Sequence, residues 1–350
     1  MDPKLILPIP PPLHSDWLAH EKTFNLLVPR LIITDPYLSQ KRYSDACKAT
    51  NTELLAGRDK HLTVDILIQD TVIEVFTSSS DIHFVPIRSY NPASLPSGLL
   101  DVLLNGREVK LIVIYFHGGG LYNGDLDSED LICPRICRAL QCKLYSCTYR
   151  KMSQFTADDA LFDAFRAFED ITTKMKASRL ILMGSSSGRQ LCGQISQRYR
   201  NLNRDLIDGV LMRGPVTCNA TEGGKHLPAR FKDVHKSMSE AFHTSLLSGA
   251  VVNNENRTIT ALPLEAEDLR GMPRHWIQVS TNDIYYSDGA CYAKALREAG
   301  VEVRLEVVEG WPHTFWLKAP YLERAVKAEN DMIDGLKWLL EDKVQGEKKV

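Results

Sequence analysis

The stretch Ile181-Leu182-Met183-Gly184-Ser185-Ser186-Ser187-Gly188 decides the fold of this chain. Its apolar residues predict a buried β-strand, and the G-x-S-x-G pattern that follows predicts a sharp turn into a helix. The two glycines allow neighbouring backbone to pass close to such a turn. A serine held there presents its hydroxyl at the carboxyl edge of a sheet, so Ser186 is a candidate nucleophile. A loop serine without chemistry is the alternative interpretation of this stretch alone.

The composition is ordinary for a globular protein with a sizeable core. The 350 residues are 44% hydrophobic and 25% charged, with a formal net charge of −2. The basic residues are scattered, so we expect no nucleic-acid partner. No apolar run approaches the roughly 20 residues of a membrane span. The N-terminus lacks a signal-peptide core, which favours a cytoplasmic location.

Four of the eight cysteines lie close together in the sequence, at Cys133, Cys137, Cys142 and Cys147. Zinc sites use paired CxxC or CxxC/HxxxH spacings, and these cysteines lack such a pair. We therefore expect buried, reduced thiols and no metal site.

Strands and helices alternate along most of the chain. Residues 71–76 and 82–87 predict a hairpin, and residues 111–116 are apolar on both faces, as in a covered parallel sheet. The pattern then predicts strands over 143–149, 179–184, 209–212, 275–279 and 301–308, with helices over 127–140, 156–174, 285–299 and 318–341. This order indicates an α/β fold with a mainly parallel eight-stranded sheet flanked by helices.

Two stretches fall outside this alternation. Residues 15–33 have helical periodicity with an apolar stripe, which fits either core packing or a lid. Residues 217–263 are polar and helix-like without a sheet strand, and this length is too great for an ordinary connection. We therefore expect an inserted subdomain there.

Three polar residues follow predicted strands: Ser186, Asp283 and His313. The carboxyl ends of the strands of an open α/β sheet face one crevice, so these residues can converge. Ser186 needs a base, His313 can serve as that base, and Asp283 can orient the imidazole. Asp288 competes with Asp283 but lies one turn into the following helix, and Asp283 could also simply cap that helix.

The run His117-Gly118-Gly119-Gly120 directly follows a predicted buried strand. Acyl transfer places negative charge on a carbonyl oxygen, and backbone N–H groups without side chains can approach that oxygen closely. A flexible glycine turn is the alternative. The order of strand, glycine run, G-x-S-x-G turn, aspartate and histidine favours the oxyanion-binding interpretation.

From about residue 15 to 342 the sequence resembles the hormone-sensitive-lipase-like branch of the α/β-hydrolases (fold-3). The resemblance is carried by the HGGG run, the elbow at Ser186, and the blocks Thr148-Tyr149-Arg150, Asn282-Asp283 and Gly310-Trp311-Pro312-His313. It implies oxyanion donors at Gly119, Gly120 and Ser187. It also implies an N-terminal cap segment at 1–55, a hydrolase core at 56–216 and 264–345, and a cap insertion at 217–263. No cofactor is implied.

The elbow departs from the family pattern at two positions. Ser185 stands where an acidic residue is usual, and Arg189 stands where a glycine is usual. A cation in the first turn of a helix opposes the helix dipole by about 0.3–1 kcal/mol. From the sequence alone, Arg189→Gly is therefore expected to keep or raise hydrolytic activity.

The first functional hypothesis is a serine carboxylic-ester hydrolase acting on a small to medium apolar ester, in the manner of fungal members in secondary metabolism. The second keeps the triad for cyclisation, condensation, amide cleavage or lactonisation. The third is a small-molecule receptor, a class whose members generally lose a triad residue. The expected partner is a small-molecule substrate, and a homodimer is left open. The candidate pocket residues, for each of which core packing is the alternative, are Trp17, Phe24, Tyr122, Met238, Phe242 and Trp311.

Overall fold

A computed structural model of the chain describes residues 7–27, 33–76, 82–94, 109–152, 154–175, 177–202, 205–219, 226–237 and 261–341. The strands are β1 (Ile66–Phe76), β2 (Ile82–Pro92), β3 (Val109–Phe116), β4 (Lys143–Cys147), β5 (Ala177–Ser185), β6 (Gly209–Arg213), β7 (Arg274–Asn282) and β8 (Val303–Pro312). The helices are α1 (Ser15–Thr23), α2 (Pro36–Ala56), α3 (Ile132–Leu140), α4 (Ala157–Lys174), α5 (Ser187–Asn201), α6 (Tyr286–Glu298), α7 (Phe315–Lys318) and α8 (Glu323–Leu340).

The eight strands form one sheet in the order β1-β2-β4-β3-β5-β6-β7-β8. The β1–β2 and β2–β4 pairs are antiparallel, and the other five pairs are parallel. The predicted hairpin and the mainly parallel eight-stranded sheet are thus confirmed. The parallel strands direct their carboxyl ends to one edge of the sheet, which is where ligands bind in open α/β folds.

Both faces of the sheet are covered, as the apolar sequence of β3 predicts. Ile112, Ile114 and Phe116 pack into one buried cluster with residues of α4 and α5. The alternate residues Leu111, Val113 and Tyr115 pack into a second cluster with residues of α3 and α8. Burying each large apolar side chain contributes roughly 1.5–3 kcal/mol. The two layers therefore hold the strand ends, and the loops that follow them, in fixed positions.

Two helix predictions need correction. The predicted helix 127–140 begins only at Ile132, because residues 127–131 form turns. The predicted helix 318–341 begins only at Glu323, because residue 318 ends the short helix α7 and residues 319–322 separate α7 from α8. Pro320 lies in this break, and proline cannot donate the N–H that a continuous helix would require.

The N-terminal stretch also differs from its predicted single helix over 15–33. The helix α1 ends at Thr23, and Asn25 has a left-handed φ of 49°. A second helix, α2, follows and was not predicted. Within the described parts of the 217–263 stretch no residue joins the sheet, and Ala229–Phe231 form one turn of 3-10 helix.

Candidate active site

Ser186 lies at the turn between β5 and α5, in a conformation that few residues with a side chain adopt. Its φ is 49° and its ψ is −120°. Holding a residue in such a sparsely populated region costs of order 1–3 kcal/mol. Close packing maintains it: a Cβ atom at Gly188 would lie 2.1 Å from the Phe116 carbonyl oxygen, so only glycine fits there. The turn places the Ser186 hydroxyl at the carboxyl edge of the sheet.

His313 and Asp283 meet Ser186 at this edge. His313 follows β8, and its Nε2 lies 2.9 Å from Ser186 Oγ. Its Nδ1 lies 2.6 Å from Asp283 Oδ2. The other Asp283 oxygen accepts the Tyr285 backbone N–H at 2.8 Å, so the carboxylate is held from both sides. The arrangement gives a hydroxyl, an imidazole and a carboxylate in one hydrogen-bonded line.

Asp288, the alternative acid, faces a different part of the fold. Its Oδ2 accepts the backbone N–H groups of Thr217 and Cys218 at 2.8 and 3.2 Å. Its Oδ1 lies 2.8 Å from Nε2 of His235. Asp288 therefore fastens the start of the 217–263 stretch to α6 and makes no hydrogen bond to His313.

The glycine run after β3 lies beside Ser186. Gly119 and Gly120 have φ angles of 119° and 68° and line the same cavity as Ser186 and His313. Among the described residues, neither backbone N–H is hydrogen-bonded to another protein group. Ser187 adds a third unengaged N–H as the first residue of α5, and its hydroxyl accepts the Leu121 N–H at 3.2 Å. These three donors are available to an oxygen placed near Ser186.

Glu129 ties this loop to the elbow, a role that the sequence did not indicate. Its Oε1 accepts the Gly118 N–H at 3.2 Å, and its Oε2 accepts the Ser185 hydroxyl at 2.5 Å. The Tyr115 hydroxyl in turn donates to Ser185 Oγ at 3.2 Å. Glu129 is 4% exposed and lines the cavity. No motif could have revealed it, because its role depends on a contact with a residue 56 positions away.

Two lysines lie beside the site, and burial disfavours the charged form of each. Burial lowers the pKa of Lys318 to about 7, with Asp283 and Glu129 acting in the opposite direction. Its Nζ donates to the His313 carbonyl oxygen at 2.9 Å and to Thr314 Oγ1 at 2.7 Å. Burial likewise lowers the pKa of Lys151 to about 7. Lys318 therefore holds the segment that carries His313.

The site opens into a cavity of about 1100 Å³. Ser186, His313 and the glycine run form one wall, and one face of α2 forms another. Tyr122, one of the candidate pocket residues, lines the cavity. The α2 residues that line it are Ser39, Tyr43, Ala46, Cys47, Thr50, Asn51 and Leu54. A cavity of this size accepts a drug-sized organic molecule.

The other predicted pocket residues do not line this cavity. Trp17 and Trp311 are core residues, 0% and 2% exposed, whose rings meet edge to face at 6.2 Å. Both belong to one buried apolar cluster with Phe315. Phe24 follows α1 and is 62% exposed. Met238 and Phe242 lie outside the described residues.

Cys133, Cys137, Cys142 and Cys147 are buried and unbridged. Within the described ranges, a different set brings metal-ligand types together: Cys218, His235 and Asp288, with ligand atoms within 4.8 Å of one another. A hydrogen bond between His235 and Asp288 connects two members of this cluster. Among the same residues, no helix combines the length and apolar character needed to cross a membrane.

A protein-family model described as the alpha/beta hydrolase fold matches residues 113–317, which is more than half of the chain. The chain belongs to the α/β-hydrolase family. Its branch is the hormone-sensitive-lipase-like fold-3 group, as the resemblance implied. The matched span includes the glycine run, the elbow, Asp283 and His313, so the fold assignment and the site fall in the same region.

Curated relatives of this hydrolase include esterases. Carboxylic ester hydrolase LipN of Mycobacterium tuberculosis is 28% identical over 66% of this chain and 61% of its own length. Versiconal hemiacetal acetate esterase of Aspergillus parasiticus is 26% identical over 65% of this chain and 70% of its own length. The FAD-linked oxidoreductase pytB of Aspergillus terreus is 25% identical over 84% of this chain, which spans only 34% of that protein.

Solved structures agree with the fold. Vibralactone cyclase superposes with a TM-score of 0.77 over 94% of this chain and 95% of its own, at 19% identity. This similarity shows the α/β-hydrolase architecture.

Proposed function

We propose that this protein is a serine carboxylic-ester hydrolase that acts through Ser186, His313 and Asp283. The observation that carries the proposal is the hydrogen-bonded line from Asp283 Oδ2 through His313 to Ser186 Oγ, with distances of 2.6 and 2.9 Å. The unengaged N–H groups beside it support the proposal, since such donors are worth about 3–4 kcal/mol each in the transition state of acyl transfer.

In the proposed first step, Ser186 Oγ attacks the ester carbonyl carbon while His313 Nε2 takes the hydroxyl proton. The carbonyl oxygen becomes an oxyanion and accepts hydrogen bonds from the Gly119, Gly120 and Ser187 N–H groups. Collapse breaks the bond to the alcohol oxygen, which takes the proton from His313. A water molecule then gives its proton to His313 and attacks the acyl-enzyme, which releases the carboxylic acid and restores the Ser186 hydroxyl.

The proposed substrate is a medium-sized, mainly apolar ester from secondary metabolism. The cavity volume supports a molecule larger than a short-chain ester, and the walls combine apolar side chains with hydroxyl and amide groups. The acetate esterase of Aspergillus parasiticus, whose name specifies an acetate ester of a pathway intermediate, is a relative of this kind.

The test is covalent labelling with a fluorophosphonate, followed by identification of the modified peptide. We expect one adduct at Ser186 and turnover of p-nitrophenyl esters that Ser186→Ala abolishes. An adduct at another serine, or equal turnover by Ser186→Ala, would contradict the proposal.

A second candidate reaction is intramolecular cyclisation, in which a substrate hydroxyl takes the place of water. The structural similarity to vibralactone cyclase favours considering it. The two reactions differ in their use of solvent: hydrolysis in ¹⁸O-labelled water puts label into the carboxylic acid product, whereas cyclisation yields an unlabelled product.

Three further predictions stand: the division into core and cap, a cytoplasmic location, and a homodimer. Sedimentation analysis would test the homodimer.

A further inference from the structure

Arg189 is buried deep in the molecule beneath the proposed active site. It lies in the first turn of α5, three residues after Ser186, and is 0% exposed. Its Nε donates to the Gly184 carbonyl oxygen at 2.6 Å. Its Nη1 and Nη2 are buried and have no hydrogen-bond partner among the residues that the structure describes. Buried polar groups are almost always paired, so this guanidinium requires an explanation.

The guanidinium lies close to the Asp283–His313 pair. A methyl group placed on Gly214 would lie 3.1 Å from Asp283 Oδ2, 3.1 Å from His313 Nδ1 and 3.3 Å from Arg189 Nη1. These three atoms therefore surround one point beside Gly214. Because arginine stays protonated in proteins, its field acts on both groups in every turnover.

The carboxylate of Glu129 is the complementary charge on the other side of the elbow. It is 4% exposed, accepts from Gly118 N and Ser185 Oγ, and does not touch the guanidinium. Burial and the neighbouring Arg213 lower the pKa of Arg189, and Glu129 is the first of the groups that oppose this shift. The charged and titratable groups around Arg189 are Arg213 on β6, Glu129 before α3, Tyr115 on β3 and Asp283 after β7.

We propose that Glu129 and Arg189 act together as positioning residues, a buried anion and a buried cation that fix the oxyanion loop and the elbow around Ser186. Glu129 holds the loop through Gly118, and Arg189 holds the elbow through Gly184. Each charge offsets the cost of burying the other, since an uncompensated charge in a low-dielectric interior is strongly unfavourable. This inference rests on the proposed function only where it predicts changes in kcat and KM. It replaces the expectation from sequence that Arg189→Gly keeps or raises hydrolytic activity.

A double-mutant cycle tests the proposal with Glu129→Gln, Arg189→Met and the combination. With p-nitrophenyl acetate, we expect each single change to lower kcat by roughly 10- to 100-fold with little change in KM, because the donors and the elbow are displaced. The combined variant should lose at least about fivefold less than the product of the two single losses, because it leaves no uncompensated charge.

The charge on Arg189 is tested by Arg189→Lys. Lysine keeps a buried cation at this position, so Arg189→Lys should retain at least about fivefold more of the wild-type kcat than Arg189→Met. Arg200→Met, in the last turn of the same helix, is the matched control: its guanidinium donates to the Asp268 and Arg270 carbonyl oxygens, and its loss should leave kcat unchanged.

Thermal unfolding of the same variants measures the coupling between the two residues without an activity assay. We expect both single changes to lower Tm and the combined change to lower it less than additively. Strictly multiplicative kinetic losses with additive Tm losses, or equal kcat values for the Lys and Met variants, would overturn the proposal. If the wild type shows neither ester turnover nor Ser186 labelling, the proposed function fails, while the Tm cycle still decides whether the charges are coupled.

Discussion

Gly119 and Gly120 are neighbours in the oxyanion loop, yet an added methyl group would meet very different surroundings at the two positions. At Gly119, with φ 119°, a Cβ would lie 2.2 Å from the Asn123 carbonyl oxygen. At Gly120, with φ 68°, it would meet nothing within 4 Å. A left-handed φ costs an alanine about 1–2 kcal/mol, whereas a backbone clash forces the loop to move.

We therefore expect Gly119→Ala to lower kcat/KM for p-nitrophenyl acetate by at least about 100-fold, the size of effect that follows loss of one oxyanion donor. Gly120→Ala should lower it by no more than about tenfold, because its N–H keeps its place. Steady-state kinetics of the two variants, with circular dichroism to show that both fold, provide the measurement. Equal losses at the two positions would contradict the predicted difference between a backbone clash and an open site.

Single residues also show why part of the site could be predicted from sequence and part could not. Ser186, Asp283 and His313 each follow a strand, and the ends of parallel strands meet at one edge whatever lies between them. Glu129 and Lys318 have no such local signal. Their roles depend on the packing of a loop against the elbow and of α7 against the His313 segment, which only the folded structure brings together.

At the scale of elements, α2 shows how a cavity wall differs from an ordinary packed helix. The residues that face the cavity recur at helical spacing, at Ser39, Tyr43, Cys47, Thr50 and Leu54. This face is mostly polar, because it contacts a cavity and not the apolar core. A search for an apolar stripe therefore overlooks the helix and identifies α1, whose Trp17 is buried in the core.

The α2 face predicts a way to change substrate size preference. Thr50→Trp would place an indole in the cavity, so we expect KM for a bulky ester such as a naphthyl decanoate to rise at least about tenfold, with less than about a threefold change for p-nitrophenyl acetate. Thr52→Trp, on the exposed side of the same helix, is the matched control and should change neither value. Parallel increases for both esters would exclude α2 from the substrate path.

For the whole molecule, the sequence predicted the sheet better than its connections. Strands that are apolar on both faces are typical of covered parallel sheets, so the mainly parallel sheet could be predicted from their order along the chain. Connections depend on individual turns. The last predicted helix starts only after Pro320, at Glu323, and residues 127–131 form turns where helical periodicity continues in the sequence.

The covered sheet also predicts how the molecule responds to acid. His275, on β7, is 0% exposed, and burial lowers its pKa to about 4 from 6.5. Its Nδ1 lies 2.7 Å from the Pro273 carbonyl oxygen. Between pH 6.5 and 4 the unfolded chain binds a proton that the folded chain does not bind, so the free energy of unfolding falls as the pH is lowered through this range.

At pH 4.5 this histidine accounts for about 2–3 kcal/mol of the lost stability relative to pH 7. His275→Gln keeps a donor for Pro273 but cannot take up a proton, so the difference in unfolding free energy between pH 7 and pH 4.5 should shrink by about that amount. Urea unfolding at the two pH values measures it, with His61→Gln on the exposed surface as the control. If the variant loses as much stability as the wild type, other buried groups such as His117, whose pKa burial also lowers, govern the acid response.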